Sequence, residues 1–559
     1  MQIVKLSICN YRQFEEVEVD FTSSLTALTG MNGSGKTTIL KAIDLAMSYG
    51  APEERIKSSD FLNPDEPIDV SIELSDYYYI RISDGWAKRF IPSKKIRLTL
   101  SHRKSSSRRT LNHPFVAKFF MEPYCYDGKE NQGFSQDKLA NIPILVDKAG
   151  NDGYFYHRNN NDRVEIGGFE LLAKGNAVDL PYVSYLNESK AKSLNSGYYS
   201  MWSRLANELD WRFYRKLSQM SNEDEAVYND GIIGTKEIID NNSVGQLRAD
   251  TIGALVDNAT ELLCDKFGNL DISFINPEHP HQNAEIALTS PCGQRIIGLE
   301  NLGMGEKSVL ALLLSIIVAR YANRTTILLI DELEVHLHPQ LMHRLLEYLD
   351  STGIQVIYST HSESLINLGK WRSVKRLHNA KVFPQKNCLD EVIDGKTVAE
   401  HLDDISHFYY DMRILKREDA QMLFANKMLL VEGVNDKFGL PNAAKKLDVS
   451  LDAIDTIVPV YGKGNFCHYQ ILCKAFEIDT FVVFDQDDVD DEKNTRLNQQ
   501  ISANAGGASF MFPTSFEQAL GIGENSKSFV RVLEAIRTQN IPQDVNNCIN
   551  QIGQWLDGD

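Results

Sequence analysis

Three groups of residues in this 559-residue chain have the types and spacing that chemistry requires. The segment Gly30–Thr37, GMNGSGKT, has the glycine, lysine and hydroxyl pattern that binds nucleotide phosphates. The pair Asp331 and Glu332 directly follows the apolar run TTILLI. Further carboxylates stand in the C-terminal part at Glu432, Asp436, Asp485, Asp487 and Glu517. Together they predict an enzyme that binds nucleotide and uses acidic residues on phosphate chemistry.

The glycine loop predicts an ATP site. Its glycines let backbone N–H groups turn towards phosphate oxygens, and the helical spacing of TILKAIDLAM places a helix N-terminus behind the same anion. We expect Lys36 to reach the β- and γ-phosphates and Thr37 to place its hydroxyl on Mg²⁺, with Thr38 in the first helical turn. The predicted nucleotide-contacting residues are Asn32, Gly33, Ser34, Gly35, Lys36, Thr37 and Thr38.

Two later strand ends complete the predicted nucleotide site. Asp331 is expected to hold Mg²⁺, and Glu332 to act as the general base that orients and deprotonates the attacking water. The next apolar run, GIQVIYSTHS, ends at His361, a position from which an imidazole can reach the γ-phosphate. An ordinary strand-end histidine is the alternative.

The C-terminal carboxylates also follow apolar strands. MLLVEG delivers Glu432, with Asp436 one helical turn beyond it, and FVVF is followed by Asp485 and Asp487, whose period-two spacing points both side chains the same way. Carboxylates gathered at one sheet edge repel each other unless a cation neutralises them, and oxygen ligands suit Mg²⁺ or Mn²⁺. The alternative is an acidic surface run, which is how we interpret the residues from 488 to 491.

The size of the chain predicts several domains, since one hydrophobic core needs far fewer residues. No apolar stretch is long enough for a bilayer, the N-terminus lacks a signal-peptide core, and the cysteines form no C-x-x-C pair. We therefore expect a soluble cytoplasmic protein with no membrane partner. The net charge of −18 argues against an overall basic coat, although a local strip at residues 87–110 could meet DNA. A solvated hairpin is the alternative for that strip.

The order of the N-terminal motifs resembles the ATP-binding cassette (ABC) heads of the SMC and OLD-like group. The stretch from Leu302 to Glu306, which includes Gly305, occupies the place of the signature motif, and Asn10–Phe14, with Arg12, resembles the opening segment whose arginine approaches nucleotide. In such heads one subunit's signature loop contacts ATP held by another, so the resemblance implies a homodimer or higher oligomer. His336 and His338 match the subunit-contact turn of OLD-like ATPases, with a metal site as the alternative.

The C-terminal pattern resembles the TOPRIM domain of the OLD (overcoming lysogenization defect) nucleases. Glu432-x-x-x-Asp436, the turn Gly462–Asn465 and Ser515–Glu517 are similar to that family's motifs. The resemblance implies two-metal hydrolysis of a DNA phosphodiester, with Lys527 approaching the scissile phosphate. It further implies ATP control of DNA access and a role in anti-phage defence, in some members beside a partner protein from a neighbouring gene.

The predicted fold is α/β, an ABC-type P-loop ATPase head with a helical insertion followed by a C-terminal TOPRIM domain. Apolar residues at helical spacing and the resemblance together place the insertion, a dimerisation domain in OLD-like proteins. The predicted segments are 1–180 and 291–410 for the ATPase, 181–290 for the insertion and 420–559 for TOPRIM. The competing function is a DNA-binding or signalling ATPase whose TOPRIM domain regulates a partner without cutting.

Overall fold

A computed structural model describes the chain in two compact units. The first contains Met1–Ala27 and Gly35–Thr360, and the second contains Leu28–Ser34 and His361–Asp559. The described residues are 1–47, 51–84, 87–102, 114–123, 154–156, 163–165, 170–171, 177–178, 180–187, 269–273, 285–289, 296–298, 303–321, 325–412, 417–487, 491–523 and 528–558. Lys527 and most of the predicted helical insertion lie outside them.

An antiparallel sheet begins the first unit. Alternate residues of its strands are buried, among them Leu6, Ile8, Ile96 and Leu98, as expected for strands with one covered face. The strands lie in the order Phe14–Asp20, Ile3–Tyr11, Ile68–Asp84, Ala87–His102, Phe115–Pro123 and Glu170–Leu171, with Ala177–Val178 paired to Ile68–Asp84.

Parallel strands form the centre of the first unit. Tyr182–Leu186, Thr326–Ile330 and Gln355–Ser359 pair in that order, and every residue of the last two is buried. Strands buried on both faces read as continuous apolar runs, which explains TILLI and QVIYS. Leu25–Thr29 begins beside Gln355–Ser359, where the Val356 N–H donates to the Ser24 carbonyl at 2.6 Å.

Helices and short hairpins complete the first unit. Among the described residues of this unit the helices are Lys36–Met47, Met304–Tyr321 and Pro339–Ser351, with 3₁₀ turns at Pro52–Glu54 and Ser58–Asp60. Asn269–Ser273, Glu285–Thr289 and Ile296–Gly298 form a small antiparallel sheet, and Tyr154–Tyr156 pairs with Arg163–Glu165.

A parallel sheet is the core of the second unit. Its strands lie in the order Thr456–Pro459, Lys427–Val431, Asp479–Asp485 and Ser509–Phe512. Leu430 and Phe484 pack into one apolar cluster, whereas Leu429 and Val483 pack into another. Successive side chains therefore point to opposite faces, and both faces are covered. The helices around this sheet are Val434–Lys446, Phe466–Ala475, Glu492–Asn504, Phe516–Ala519, Phe529–Thr538 and Gln543–Asp557, with a 3₁₀ turn at Lys463–Asn465.

The segment before this sheet is held by a buried arginine. Arg376 is 1% exposed and donates to the carbonyl oxygens of Leu423, Ala425, Phe476 and Glu477. These bonds fix the hairpin of Val374–His378 and Lys381–Phe383 against the entry to the sheet. The same segment contains Glu363–Leu365, Leu368–Ser373, Lys386–Leu389, Val392–Ile393, Lys396–Thr397, Val398–Met412 and Arg417–Phe424.

The predicted α/β class is confirmed. Tyr182–Leu186, Asn269–Ser273 and Glu285–Thr289 are strands inside the interval 181–290, for which a helical insertion is predicted. The rest of that interval lies outside the described residues, so the helical insertion stays a prediction. No helix in the described part of the chain is long and apolar enough to span a bilayer.

Candidate nucleotide and acidic sites

The loop after Leu25–Thr29 has a backbone that requires glycine. Gly30, Gly33 and Gly35 have φ of 126°, 75° and 110°, values that L side chains rarely adopt. A Cβ on Gly30 would lie 2.3 Å from the Leu377 carbonyl oxygen, and one on Gly35 would lie 2.4 Å from the Gln13 side chain. The loop opens directly into the helix Lys36–Met47, as the sequence predicts for a phosphate loop.

The predicted magnesium ligands are brought together. The Thr37 hydroxyl donates to Asp331 Oδ1 at 3.0 Å. Two further hydroxyls hold the same carboxylate, since Ser359 Oγ donates to Oδ1 at 2.6 Å and the Tyr185 hydroxyl donates to Oδ2 at 3.2 Å. Burial and then the Asp331 charge raise the pKa of Tyr185, which keeps its hydroxyl a donor. Three hydroxyl groups therefore orient the side chain of Asp331 at the end of its strand.

Lys36 is a buried cation at the start of the helix. Its side chain is 6% exposed, and burial lowers its pKa to about 8, against the opposing effects of Asp331, Glu334 and Glu332. Burial disfavours the charged form of this ammonium group more than the nearby carboxylates favour it. An anionic ligand such as a phosphate would therefore stabilise the charged form. Glu332, the predicted base, has φ of 49°, and its N–H donates to Ser359 Oγ at 2.8 Å.

The opening segment places Gln13 rather than Arg12 against the loop. Gln13 Oε1 accepts a hydrogen bond from the Thr38 hydroxyl at 3.3 Å, and its side chain covers Gly35. The Arg12 guanidinium instead donates to Asp60 Oδ1 at 2.8 Å. The predicted nucleotide contact of Arg12 therefore stays a prediction.

His361 and Asn32 line one open cavity of about 690 Å³ in the second unit. The His361 ring centroid lies 6.3 Å from that of Phe424, with 26° between the ring planes. The remaining lining residues are Met31, Ser362, Glu363, Gln421, Phe424, Ala425, Asp455 and Thr456. The predicted γ-phosphate histidine thus shares a cavity with a loop residue and with the entry to the C-terminal sheet.

Gly305 lies where a helix meets a turn. A Cβ on this residue would lie 2.3 Å from the His336 carbonyl oxygen, so the signature-like segment packs directly against the turn after Asp331. His338 caps the helix Pro339–Ser351, because its ring Nδ1 accepts from the Gln340 N–H at 3.4 Å. Capping gives His338 a structural role, and the interpretation of the two histidines as a subunit-contact turn stays a prediction.

The acidic residues gather at the carboxyl edge of the second unit's sheet. This acidic edge comprises Glu432, Asp436, Asp485, Asp487 and Glu517. Glu432 directly follows Lys427–Val431, and its Oε2 lies 3.5 Å from the backbone nitrogen of Asp485, the last residue of its own strand. Asp436 stands in the first turn of Val434–Lys446 and accepts from the Gly433 N–H at 2.9 Å. Asp485 Oδ1 accepts from the Phe516 N–H at 3.2 Å. Three separate elements therefore supply carboxylates to one place.

Burial, and next the charges of neighbouring carboxylates, raise the pKa values of these carboxyl groups. Burial and then the charges of Asp436 and Glu432 raise the pKa of Asp485 to about 8. Burial raises the pKa of Asp436 to about 7, and burial followed by the Asp487 charge raises that of Glu432. Carboxyl groups whose charges interact in this way have linked titrations, and a bound cation relieves their repulsion.

Asp487 and Glu517 are each held by a polar partner that the sequence did not identify. The strand ends at Asp485, so the period-two alternation does not extend to Asp487, which has a φ of 57°. Its carboxylate accepts from Lys463 Nζ at 2.7 Å. Asn435 Nδ2 donates to Glu517 Oε1 at 2.7 Å. Two signals in the sequence could have identified these partners. Lys463 lies in the predicted turn Gly462–Asn465, and Asn435 directly precedes Asp436.

The donor chemistry of this edge fits a hard divalent cation. Its ligands are carboxylate oxygens, which Mg²⁺ and Mn²⁺ prefer. Within the described ranges, however, no three His, Cys, Asp or Glu side chains form a ready set of metal ligands. The carboxylates instead accept from N–H groups and from Lys463, so side chains must turn for several to share an ion.

Family models match both parts of the chain. AAA-domain families match residues 5–229 and 172–367, and the family described as "Overcoming lysogenization defect protein-like, TOPRIM domain" matches residues 423–487. The last match contains Glu432, Asp436, Asp485 and Asp487. It thus covers the strands that form the acidic edge.

One relative is similar in sequence to this chain over almost its full length. An "OLD nuclease" of Thermus scotoductus is 25% identical, with 96% of each chain covered. A "Retron Vc95 probable ATPase" of Vibrio cholerae is 24% identical over 65% of this chain and 70% of that one. An Smc head domain derived from Pyrococcus furiosus covers 73% of this chain and 99% of its own, at 13% identity and a TM-score of 0.37.

Proposed function

We propose that this chain, which belongs to the OLD family and joins an N-terminal ATPase region to a C-terminal TOPRIM domain, is an ATP-regulated, divalent-metal-dependent DNA endonuclease. One observation carries the proposal. Glu432, Asp436 and Asp485 come from three elements to one sheet edge, where burial and then the charges of neighbouring carboxylates raise the pKa of each. Such an arrangement is unfavourable without a cation, which makes it a functional-site candidate rather than a stabilising feature.

The acidic edge would hold the metal through its carboxylates, with Mg²⁺ or Mn²⁺ as the ion. The proposed ligands are Glu432, Asp436, Asp485, Asp487 and Glu517. When bound, the metal supplies an activated water and stabilises the leaving oxygen of the phosphodiester. The Gly433 and Phe516 N–H groups orient Asp436 and Asp485, and Asn435 orients Glu517. Lys527, whose family counterpart approaches the scissile phosphate, is proposed for the same role here.

The nucleotide site would bind ATP with Mg²⁺. Lys36 neutralises phosphate charge, and Thr37 and Asp331, already 3.0 Å apart, hold the ion. Glu332 would orient and deprotonate the attacking water, and His361 would contact the γ-phosphate. Through the signature-like segment at Gly305, a second copy of the chain would complete the site, so the active form is a homodimer or higher oligomer.

ATP control of cleavage is supported by a short path inside the second unit. The ring of His361 faces that of Phe424, which ends the 3₁₀ segment Arg417–Phe424. The strand Lys427–Val431 begins three residues later and delivers Glu432 at its end. A change in His361 on binding or loss of a γ-phosphate would therefore reach the acidic edge through adjacent elements.

A nicking assay tests the proposal. Purified protein is incubated with supercoiled plasmid and Mg²⁺ or Mn²⁺, with and without ATP, and compared with a Lys36→Ala variant. We expect metal-dependent nicking in the parent and a changed response to ATP in the variant. ATP hydrolysis and DNA binding without nicking in either metal would instead support a regulatory, non-cleaving TOPRIM domain.

A further inference from the structure

Tyr461 is an exposed aromatic residue at the acidic edge. It stands two residues after the strand Thr456–Pro459, and 45% of its surface is accessible. Its φ is 56°, in the left-handed region where a bulky side chain is an outlier. Tyr461 therefore presents nearly half of its surface to solvent in a conformation that bulky residues rarely adopt.

The backbone on each side of Tyr461 is fixed to the strand that carries Glu432. The Val460 N–H donates to the Val431 carbonyl at 2.8 Å, and the Gly462 N–H donates to the Glu432 carbonyl at 3.3 Å. Asn465 Nδ2 donates to the Val460 carbonyl at 2.8 Å and closes the turn. Tyr461 is therefore held beside Glu432 by its own main chain.

The same turn is also joined to the second acidic strand end. Lys463, two residues after Tyr461, is 7% exposed and donates to the Asp487 carboxylate at 2.7 Å and to the Gln486 carbonyl at 3.1 Å. Asp487 has a φ of 57°, so one partner of this ion pair lies in the left-handed region, as does Tyr461, two residues before the other partner. Strained residues persist where the surrounding structure holds them, and they cluster at ligand-contacting sites.

We propose that Tyr461 is a substrate-binding residue whose ring stacks on an unpaired base next to the scissile phosphate. The proposal rests on the DNA-cleaving function proposed for the acidic edge. Every nucleobase has a π-face, so an exposed ring fixed beside a phosphodiester site can bind bases of any sequence. Stacking needs an unpaired face, which specifies single-stranded or locally opened DNA as the bound form.

The test distinguishes the contribution of the Tyr461 ring to DNA binding from the effect of its backbone strain on stability. We compare Tyr461→Gly, Tyr461→Phe and the parent for binding of a fluorescein-labelled, mixed-sequence single-stranded oligonucleotide, measured by anisotropy in the presence of Ca²⁺. Tyr461→Gly should bind about 5- to 150-fold more weakly, the effect of losing one aromatic–base stack. Its melting temperature should rise, because glycine adopts this backbone without strain. Tyr461→Phe should bind as the parent does.

Asp448→Gly is the matched control. Asp448 is an exposed residue with φ of 57° in the turn after the helix Val434–Lys446. Its replacement by glycine should also raise the melting temperature while leaving oligonucleotide binding unchanged. In cleavage assays with Mg²⁺, Tyr461→Gly should raise KM with little change in kcat, since it removes a binding contact and none of the carboxylates.

Three results would overturn the inference. Unchanged oligonucleotide binding by Tyr461→Gly excludes the contact, and an equal loss in Tyr461→Phe assigns it to the hydroxyl rather than to the ring. A loss of the same size with fully paired duplex excludes the unpaired base. If the parent cuts no DNA, the proposed function fails, whereas the binding comparison still decides the role of Tyr461.

Discussion

Asp331 illustrates how single residues are prepared for chemistry in this protein. Its carboxylate accepts hydrogen bonds from Thr37, Ser359 and Tyr185, so its orientation is set before any ligand binds. Preorganisation of this kind lowers the cost of arranging ligands around an ion. The acidic edge differs, because burial and then the charges of neighbouring carboxylates leave three of its carboxyl groups with raised pKa values.

The pKa of Asp485 predicts a pH-dependent stability cost. Its value is about 8 in the folded protein and 3.8 in an unperturbed chain. A carboxyl group whose folded pKa is raised contributes stability that is complete below pH 3.8 and is lost as the pH rises through about 8. Asp485→Asn should therefore melt a few degrees above the parent at pH 8.5 in EDTA and near the parent at pH 4, since ~1 kcal/mol shifts the melting temperature of such a domain by about 2–4 °C.

Thermal melts of both proteins across this pH range, with and without Mg²⁺, provide the measurement. Mg²⁺ should stabilise the parent more than Asp485→Asn, because an ion that binds only the folded state adds stability. A constant difference in melting temperature from pH 4 to 8.5 would contradict the assignment of a raised pKa to Asp485.

Sequence reasoning predicted the residues at strand ends better than their partners. Thr37 and Asp331 are 294 positions apart, yet two recognisable phosphate-site motifs predicted their pairing. Tyr185, Asn435 and Lys463 were missed as partners because ordinary polar residues reveal no contact through spacing alone. The same limit applies to Asp487, which lies beyond the point where the regular alternation of the strand stops.

At the scale of elements, the contact between Gly305 and the turn at His336 predicts a steric requirement. Alanine at 305 would place its Cβ 2.3 Å from a backbone carbonyl, and overpacking of this kind costs about 1–3 kcal/mol. Gly305→Ala should lower both the melting temperature and the rate of ATP hydrolysis. Differential scanning fluorimetry and a phosphate-release assay measure the two effects.

Gly303→Ala is the control for that substitution. Its Cβ would meet Glu306 Oε2 at 3.5 Å, an ordinary van der Waals distance. We expect parental stability from this variant. If both alanine variants behaved alike, close packing at position 305 would not be the reason for the glycine.

The 3₁₀ segment Arg417–Phe424 connects His361 to the strand that leads to Glu432. It predicts that ATP hydrolysis can be separated from the control of nicking by ATP. Phe424→Ala removes the ring that faces His361 and leaves every proposed nucleotide and metal ligand in place. ATP should change nicking by the parent about 5- to 150-fold, the usual range of coupling between sites, and should have little effect on the variant. ATP hydrolysis should continue in Phe424→Ala. Gln421→Ala, which changes another residue of the same cavity, should keep the coupling.

At the scale of the whole molecule, the apolar runs predicted the class of fold because buried parallel strands leave a clear pattern. Domain limits were harder to predict, since they depend on which elements pack together. The second unit contains Leu28–Ser34 and His361–Asp559, so it is not the predicted TOPRIM segment 420–559, and the limits of that segment stay a prediction.

The proposed combination of an ATPase and a nuclease in one chain also predicts how its variants affect phage plating. If the protein acts in anti-phage defence, expression of the parent in a susceptible host should lower phage plating, and Lys36→Ala and Glu432→Ala should each restore it, because both sites are required. Plaque counts at equal protein levels make the comparison. Protection by Glu432→Ala equal to that by the parent would contradict a defence role through cleavage.

The measurement that tests the central claim most directly is plasmid nicking by carboxylate variants in Mg²⁺ and Mn²⁺. Glu432→Ala and Asp485→Ala should each nick far more slowly than the parent while retaining ATP hydrolysis, and Glu534→Ala, an exposed acid on the helix Phe529–Thr538, should nick at the parental rate. If folded Glu432→Ala and Asp485→Ala nick plasmid as fast as the parent, the acidic edge is not the nuclease site.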